Sequence, residues 1–441
     1  VVSAPAPVTG QSRIALFDSK GDTGRLLQEM GISFTKVAPG QPIDADVLVI
    51  GRQALQTNGP LPGFAQVAKG LKVLVFEQDA EVLTSRFGFH INIQGLRQVF
   101  ERVPSHPALT GLSDQLLCNW QGAATLVPPY LDLKSVEEND PKWNWCGFTN
   151  TRVWRAGNRG SVATVLIEKP PRGDYLPIVD AGFDLQFSPL LEYVEGNGRV
   201  IFCQMDVTGR TQSDPAAQML CANLMRYLKT AKPQPARTTR VAGDSRVQNL
   251  LQQLGISTSA EPVANDKPAN SLLVLGPGSS APADLRKQVE AGLNVLSLGL
   301  NQAEINQALP GLVRGRQAQT VSTRIARYDL PALSGISDAE LHWRTRPDIA
   351  ALEEKSEQSN EALRVVPLGK GLLVFCQAAP WMFDYAKQPY LRTTYRRNVF
   401  LISRLLHNLG AANPATKLGA PTNLYLQIPQ AEDDPYRYYR W

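Results

Sequence analysis

Apolar residues along this chain gather in short, nearly continuous runs, with stretches of helical spacing between them. Residues 13–17, 46–50 and 72–76 are such runs, and a run without polar alternation predicts a parallel strand covered on both faces. Between them, residues 23–30 predict a helix closed by Gly31, and a helix over about 215–228 completes a first unit. The rhythm then starts again. Strands are expected at 239–242, 272–275 and 294–298, helices at 245–254 and 283–291, then a last strand at 372–377 and a helix over about 390–409 ending at Gly410. Strand and helix in alternation predict a doubly wound α/β architecture.

The same words recur in the same order. GNGRVIFCQ at 196–204 returns as GKGLLVFCQ at 369–377, and PALTGLSD at 107–114 as PALSGISD at 331–338. LLQ followed by GIS at 26–33 returns at 250–257, DVLVIG at 46–51 as SLLVLG at 271–276, and GLKVLVF at 70–76 as GLNVLSL at 292–298. A repeat of this length is the size of a whole domain, so tandem domains are expected. The boundaries read as a linker at 1–10, a first domain at 11–230, a linker at 231–237, a second domain at 238–411 and a tail at 412–441. The first domain is longer between its matched blocks, with a partly β insertion at about 128–187. The tail carries one alternating strand at 423–428 and ends DDPYRYYRW, an aromatic terminus expected to dock rather than stay in water.

Composition narrows the function classes. With 441 residues, 43% of them hydrophobic, the chain can bury more than one core. Its net charge of +5 is spread along the chain, with no basic run interleaved with aromatics, so no nucleic-acid partner is expected. The longest apolar stretches are strand-length, which predicts no transmembrane helix. The five cysteines form no CxxC pair, and the four histidines have no metal-ligand spacing, so neither a metal nor another cofactor is expected. Cys203 and Cys376 fall inside predicted strands, where a thiol acts as a small hydrophobe. The opening VVSAPAPVTG reads as linker, and the chain is expected to be a fragment or processed product of something longer.

With this strand pattern each unit resembles the class I glutamine amidotransferase-like superfamily, which is flavodoxin-like. There the nucleophile is a Cys on a sharp turn directly after a central strand. Here the strands at 72–76 and 294–298 are followed by Glu77-Gln78-Asp79 and Gly299-Leu300-Asn301. Neither offers Cys or Ser in a G-x-C-x-G setting, and no histidine with a partner acid lies near the last strand. Glu77, Gln78 and Gly299 thus stand at a degenerate nucleophile position, and both units read as catalytically inactive. More specifically, HPALTGLSD, RVWRAGNRGSVATVLIEKPPRGDYLP and SPLLEYVEGNGRVIFCQMDVTGR are similar to the amidotransferase-like modules of large bacterial glycoside hydrolases of the β-galactosidase type. The trimerisation domain of family forty-two β-galactosidases is a structural cousin. The resemblance covers most of the chain through Leu409. It implies an accessory role beside a catalytic domain or chain of a glycoside hydrolase, with carbohydrate as partner and a periplasmic or secreted location. A homo-oligomer is compatible with it.

Candidate site residues fall in two groups. Gln204, Asp206, Thr208 and Arg210, with Gln377, Trp381 and Asp384, follow the last strand of each unit, where open α/β sheets bind ligands; they serve equally well as loop caps. Trp143, Trp145, Trp154, Arg155, Asn158, Arg159, Asp174 and Tyr175 lie in the insertion. Flat aromatic faces stack on sugar rings while Arg, Asn and Asp bond hydroxyls, although the same residues could form a small core or an interface. Glu168, Asp174, Asp180 and Asp184 are available carboxylates, but the separation that glycoside hydrolysis needs is not readable from sequence. Two other readings stay open: a stand-alone carbohydrate-binding protein, and a glycoside hydrolase with a carboxylate site in the insertion.

Overall fold

The computed structural model describes residues 12–123, 126, 143–145, 148–150, 159–233, 235–259, 267–308, 313–325, 329–354, 357–413 and 418–422; the expected strand at 423–428 lies outside them. It is a mixed α/β structure built on two parallel-rich sheets. In the first half, β1 (Ile14–Phe17), β2 (Thr35–Lys36), β3 (Val47–Ile50), β4 (Lys72–Val75), β5 (Tyr175–Pro177), β6 (Leu190–Glu195) and β7 (Gly198–Cys203) form one sheet in the order β5-β6-β7-β4-β3-β1-β2. Strands β2, β1, β3, β4 and β7 are mutually parallel; β6 runs against them, and β5, antiparallel to β6, runs with them again. In the second half, β8 (Thr238–Ala242), β9 (Thr258–Ser259), β10 (Ser271–Leu275), β11 (Asn294–Leu298), β12 (Leu363–Leu368) and β13 (Gly371–Cys376) give the order β9-β8-β10-β11-β13-β12. Only β12 is antiparallel. Apart from β5, the two orders are the same.

The unbroken apolar runs are explained by what lies on each face. Val47, Val49, Leu74 and Phe76 join one buried cluster, while Leu48, Ile50, Val73 and Val75 join another on the opposite side. In the second sheet Val274, Leu296 and Val374 face one core, and Leu275, Val295 and Phe375 the other. Of the helices α1 (Asp22–Glu29), α2 (Ala80–Phe87), α3 (Pro215–Thr230), α4 (Ser245–Leu254), α5 (Leu285–Glu290), α6 (Gln302–Ala308) and α7 (Arg392–Asn408), the sequence pattern predicts α1, α3, α4, α5 and α7, and α2 and α6 are additional. Local chemistry sets their ends. Asp214 accepts from the amides of Ala216 and Ala217 ahead of Pro215 in α3, and left-handed Gly255 closes α4.

The repeated words mark repeated contacts. A methyl group on Gly198 would lie 2.1 Å from the Val67 carbonyl oxygen, and one on Gly371 would lie 2.2 Å from that of Leu293. Both hairpins are therefore pressed onto the backbone that precedes the neighbouring strand, and Asn197 and Lys370 donate their amides at 3.1 Å to Ala68 and Glu290. In PALTGLSD the carbonyls of Ala108 and Thr110 accept from Asn223 of α3; in PALSGISD those of Ala332 and Ser334 accept from Asn408 of α7. The terminal Asp of each motif accepts a backbone amide thirteen residues earlier, Asp114 from Glu101 and Asp338 from Ile325.

Strands within the stretch expected as a partly β insertion pair with the scaffold around it. Ala163–Glu168 pairs antiparallel with Ile91–Leu96, outside the expected insertion, and β5 extends the main sheet. The second half has a related layer in Arg314–Gln319, Asp348–Glu354 and Glu357–Glu361. Pattern reading missed this because strand pairing partners far apart in sequence leave no local signal. Among the described residues no helix is long and apolar enough to cross a membrane.

Candidate functional site

At the carboxyl end of β4, Glu77 is wholly buried and accepts from the Thr208 amide at 2.7 Å and its hydroxyl at 2.8 Å. Burial pushes its carboxyl up to about 7, with the nearby Asp206 charge adding to the effect. Gln78 is equally enclosed. Its amide nitrogen in the backbone donates to Gln204, its side chain accepts from Leu55, and its NH2 group donates to Gly51 and Phe76 carbonyls. Arg210, fully buried, ion-pairs with Asp206 at 2.8 Å and donates to the Trp120, Gln121 and Ser161 carbonyls. This set welds the loop after β7 to the strands around it.

In the second half, Gly299 takes a φ of +57° directly after β11. A side chain there would meet Trp381, whose ring carbon would stand 3.1 Å from the added methyl. Trp381 is itself covered by the Arg246 guanidinium at 5.3 Å. Gln377 is buried, and neither polar atom of its side chain has a partner among the described residues. Asp384 is partly exposed and pairs with Lys387. The register makes Glu77 and Gly299 equivalent, since β4 and β11 each sit beside the strand that ends in Phe-Cys-Gln.

The thiols at the ends of β7 and β13 are enclosed. Cys203 and Cys376 are buried, and burial raises both, Cys376 to about 12. His106 meets Glu192 at 3.3 Å, but Arg199 and Tyr227 close that cluster and all four lie away from the carboxyl ends of the strands.

The four carboxylates between 168 and 184 meet cations from both halves. Glu168 pairs with Arg396 and, at 2.6 Å, with His90; Asp174 pairs with Arg404 at 2.9 Å. Asp184 pairs with Arg397 at 2.9 Å, and Asp180 with Lys169 at 2.6 Å and Arg102 at 2.9 Å. Arg102 continues into the second half, donating to Glu340 at 2.5 Å, Ser337 and the Gly335 carbonyl. Burial lowers Lys169, and the Arg102 charge lowers it further. The loop beneath this seam is strained, with Asp184 and Leu185 both left-handed at φ of +63° and +55°.

The candidates therefore part company. Tyr175 is buried against Phe89 and Tyr193, and its carbonyl accepts from Arg404. Gln204, Asp206, Thr208 and Arg210 are brought together but buried, and the partly exposed Asp174 carboxylate pairs with Arg404 of α7. Trp143 and Trp145 lie on one strand of a hairpin with Phe148–Asn150, and Arg159 pairs through its backbone with Ala123. Trp154, Arg155 and Asn158 lie outside the described residues. Sequence reasoning missed the seam. Its one signal was Arg396 and Arg404, roughly two turns apart and flanking the apolar run VFLI of the same helix. Among the described residues no group of His, Cys, Asp and Glu is placed to hold a metal ion. A scan against models of known protein families matches none of them, and a search of curated proteins returns no match.

Proposed function

We propose that this chain is a catalytically inactive, tandem flavodoxin-like and amidotransferase-like accessory region of a carbohydrate-active enzyme of the β-galactosidase-like glycoside hydrolase type. The strand order supports the flavodoxin-like reading, since β2-β1-β3-β4-β7 and β9-β8-β10-β11-β13 both follow the order 2-1-3-4-5. One observation carries the functional part. The two positions where such folds hold a nucleophile are filled by a buried Glu77 bonded to Thr208 and by a Gly299 lying under Trp381. Acyl transfer needs an attacking group within reach of a base, and neither position supplies one. The glycoside hydrolase with a carboxylate site at 168–184 is disfavoured, because each of those acids is already matched to a cation. What remains for the region is to present surfaces, to a catalytic domain or chain and to sugar.

The test is an assay of the purified chain for glutaminase activity and aryl β-galactoside hydrolysis, with and without the catalytic part of a β-galactosidase. The expected result is no turnover by the chain alone and co-migration with the catalytic part on gel filtration. Turnover by the chain that disappears in Glu77→Gln or in any of the 168–184 carboxylate variants would end this reading.

A further inference from the structure

A cleft of about 430 Å³ opens at the carboxyl edge of the first sheet, between α1 and the loop that leads from β7 into α3. It stands where the chain, having gone from β1 out to β2, returns to the other side of β1 to build β3 and β4. That reversal leaves the helices diverging, and it is where open α/β sheets admit ligands. The volume falls in the range of small-molecule sites. Of the residues around Glu77, Thr208 also lines it.

The lining decides what it can hold. Asp22, Arg25 and Glu29 come from α1, Arg52 from the turn after β3, and Thr211 and Gln212 from the loop before α3. Two guanidiniums face two carboxylates, with Arg52 on Asp22 at 3.0 Å and Arg25 at 3.9 Å. The balance gives neither an anion nor a cation an advantage. A phosphate ester is excluded from its usual seat by the protein itself. The Asp18 carboxylate already accepts the amides of Lys20, Gly21 and Gly24, at 3.2, 3.0 and 2.7 Å, at the start of α1. The matching occupant is uncharged and carries several groups that both donate and accept, and the hydroxyl is the group that does both.

We propose that this cleft binds a neutral saccharide, resting on the carbohydrate-associated reading above but placing the contact on the scaffold rather than in the aromatic stretch. Gln212 is exposed at the rim, so Gln212→Trp fills the cleft without touching a core. Lactose and galactose are titrated calorimetrically into the wild-type chain, Gln212→Trp, Arg52→Met and Trp143→Ala, with inorganic phosphate and glutamate as charged probes. Saccharide binding to wild type and Trp143→Ala, weakened at least tenfold in Gln212→Trp and Arg52→Met with unchanged circular dichroism, is the expected result. Equal affinity in Gln212→Trp, no saccharide binding by wild type, or displacement of the sugar by phosphate would overturn it. The two ideas fail separately: sugar binding that is lost only in Trp143→Ala removes the cleft and leaves the accessory role, whereas turnover by the chain removes the role and leaves the cleft.

Discussion

Replacing Arg102 by Met removes the most connected cation of the seam while keeping an unbranched stem of similar length. Arg102 is buried and donates to Asp180, Glu340, Ser337 and the Gly335 carbonyl. After the change Asp180 still has Lys169 at 2.6 Å, but Glu340 keeps only neutral donors, the amide and hydroxyl of Ser337. Leaving one member of a buried pair without its partner costs about 3–5 kcal/mol. Adding Glu340→Leu removes the stranded charge, so the double variant should recover about 2 kcal/mol of that loss. Urea unfolding followed by far-ultraviolet and near-ultraviolet circular dichroism measures both. Because the pair is shielded from solvent, added salt should change the difference little. A loss below about 1 kcal/mol for Arg102→Met, or strictly additive losses in the double variant, would refute the view that this residue joins the halves.

Three further outcomes are expected. Glu77, raised to about 7, binds its proton more tightly folded than unfolded, so it lowers stability progressively as pH rises from about 4.5 through 7. Glu77→Gln should flatten that window relative to wild type, by an amount on the order of 3 kcal/mol at its upper end, in urea midpoints taken across pH. Gly371→Ala, whose methyl would meet two carbonyl oxygens at 2.2 and 2.4 Å, should cost about 4 kcal/mol or more, whereas Gly278→Ala, with φ of +77° and open space around it, should cost about 1–2 kcal/mol; thermal melts rank the two. Asn408→Ala leaves the Ala332 and Ser334 carbonyls without their donor, and Asn223→Ala does the same to Ala108 and Thr110. Each should lose about 1–3 kcal/mol, measured by chemical denaturation, and unequal losses would show that the two turns are not mechanically alike.

The scaffold was legible because its signals are local. A run such as VLVI at 47–50 can only sit between two apolar layers, and GxG before such a run is demanded by carbonyl oxygens a side chain would strike. The recurrence of GxG and of PAL was readable for the same reason, since each marks a contact made in both halves. The seam was not legible. Glu168 and Arg396 lie 228 residues apart, and nothing near either indicates the other. Tyr175 looked like a sugar platform because an aromatic beside Asp174 has the right chemistry; only the pairing of β5 with β6 puts it in a core. The cleft escaped notice because Arg25 belongs to α1 and Arg52 to the turn after β3, and only the reversal of strand order brings them together.

The cations that clasp the first half sit on α7, close to the last part of the described chain. A ribosome delivers Glu168, Asp174 and Asp184 long before Arg396, Arg397 and Arg404 exist. For that interval the emerging polypeptide carries a patch of uncompensated acid, repelling itself and awaiting its counterpart. Completion of one long helix thus adds the arginines that bridge the two halves beside Arg102, and any product truncated before residue 392 should lack them and be more protease-sensitive than the whole chain.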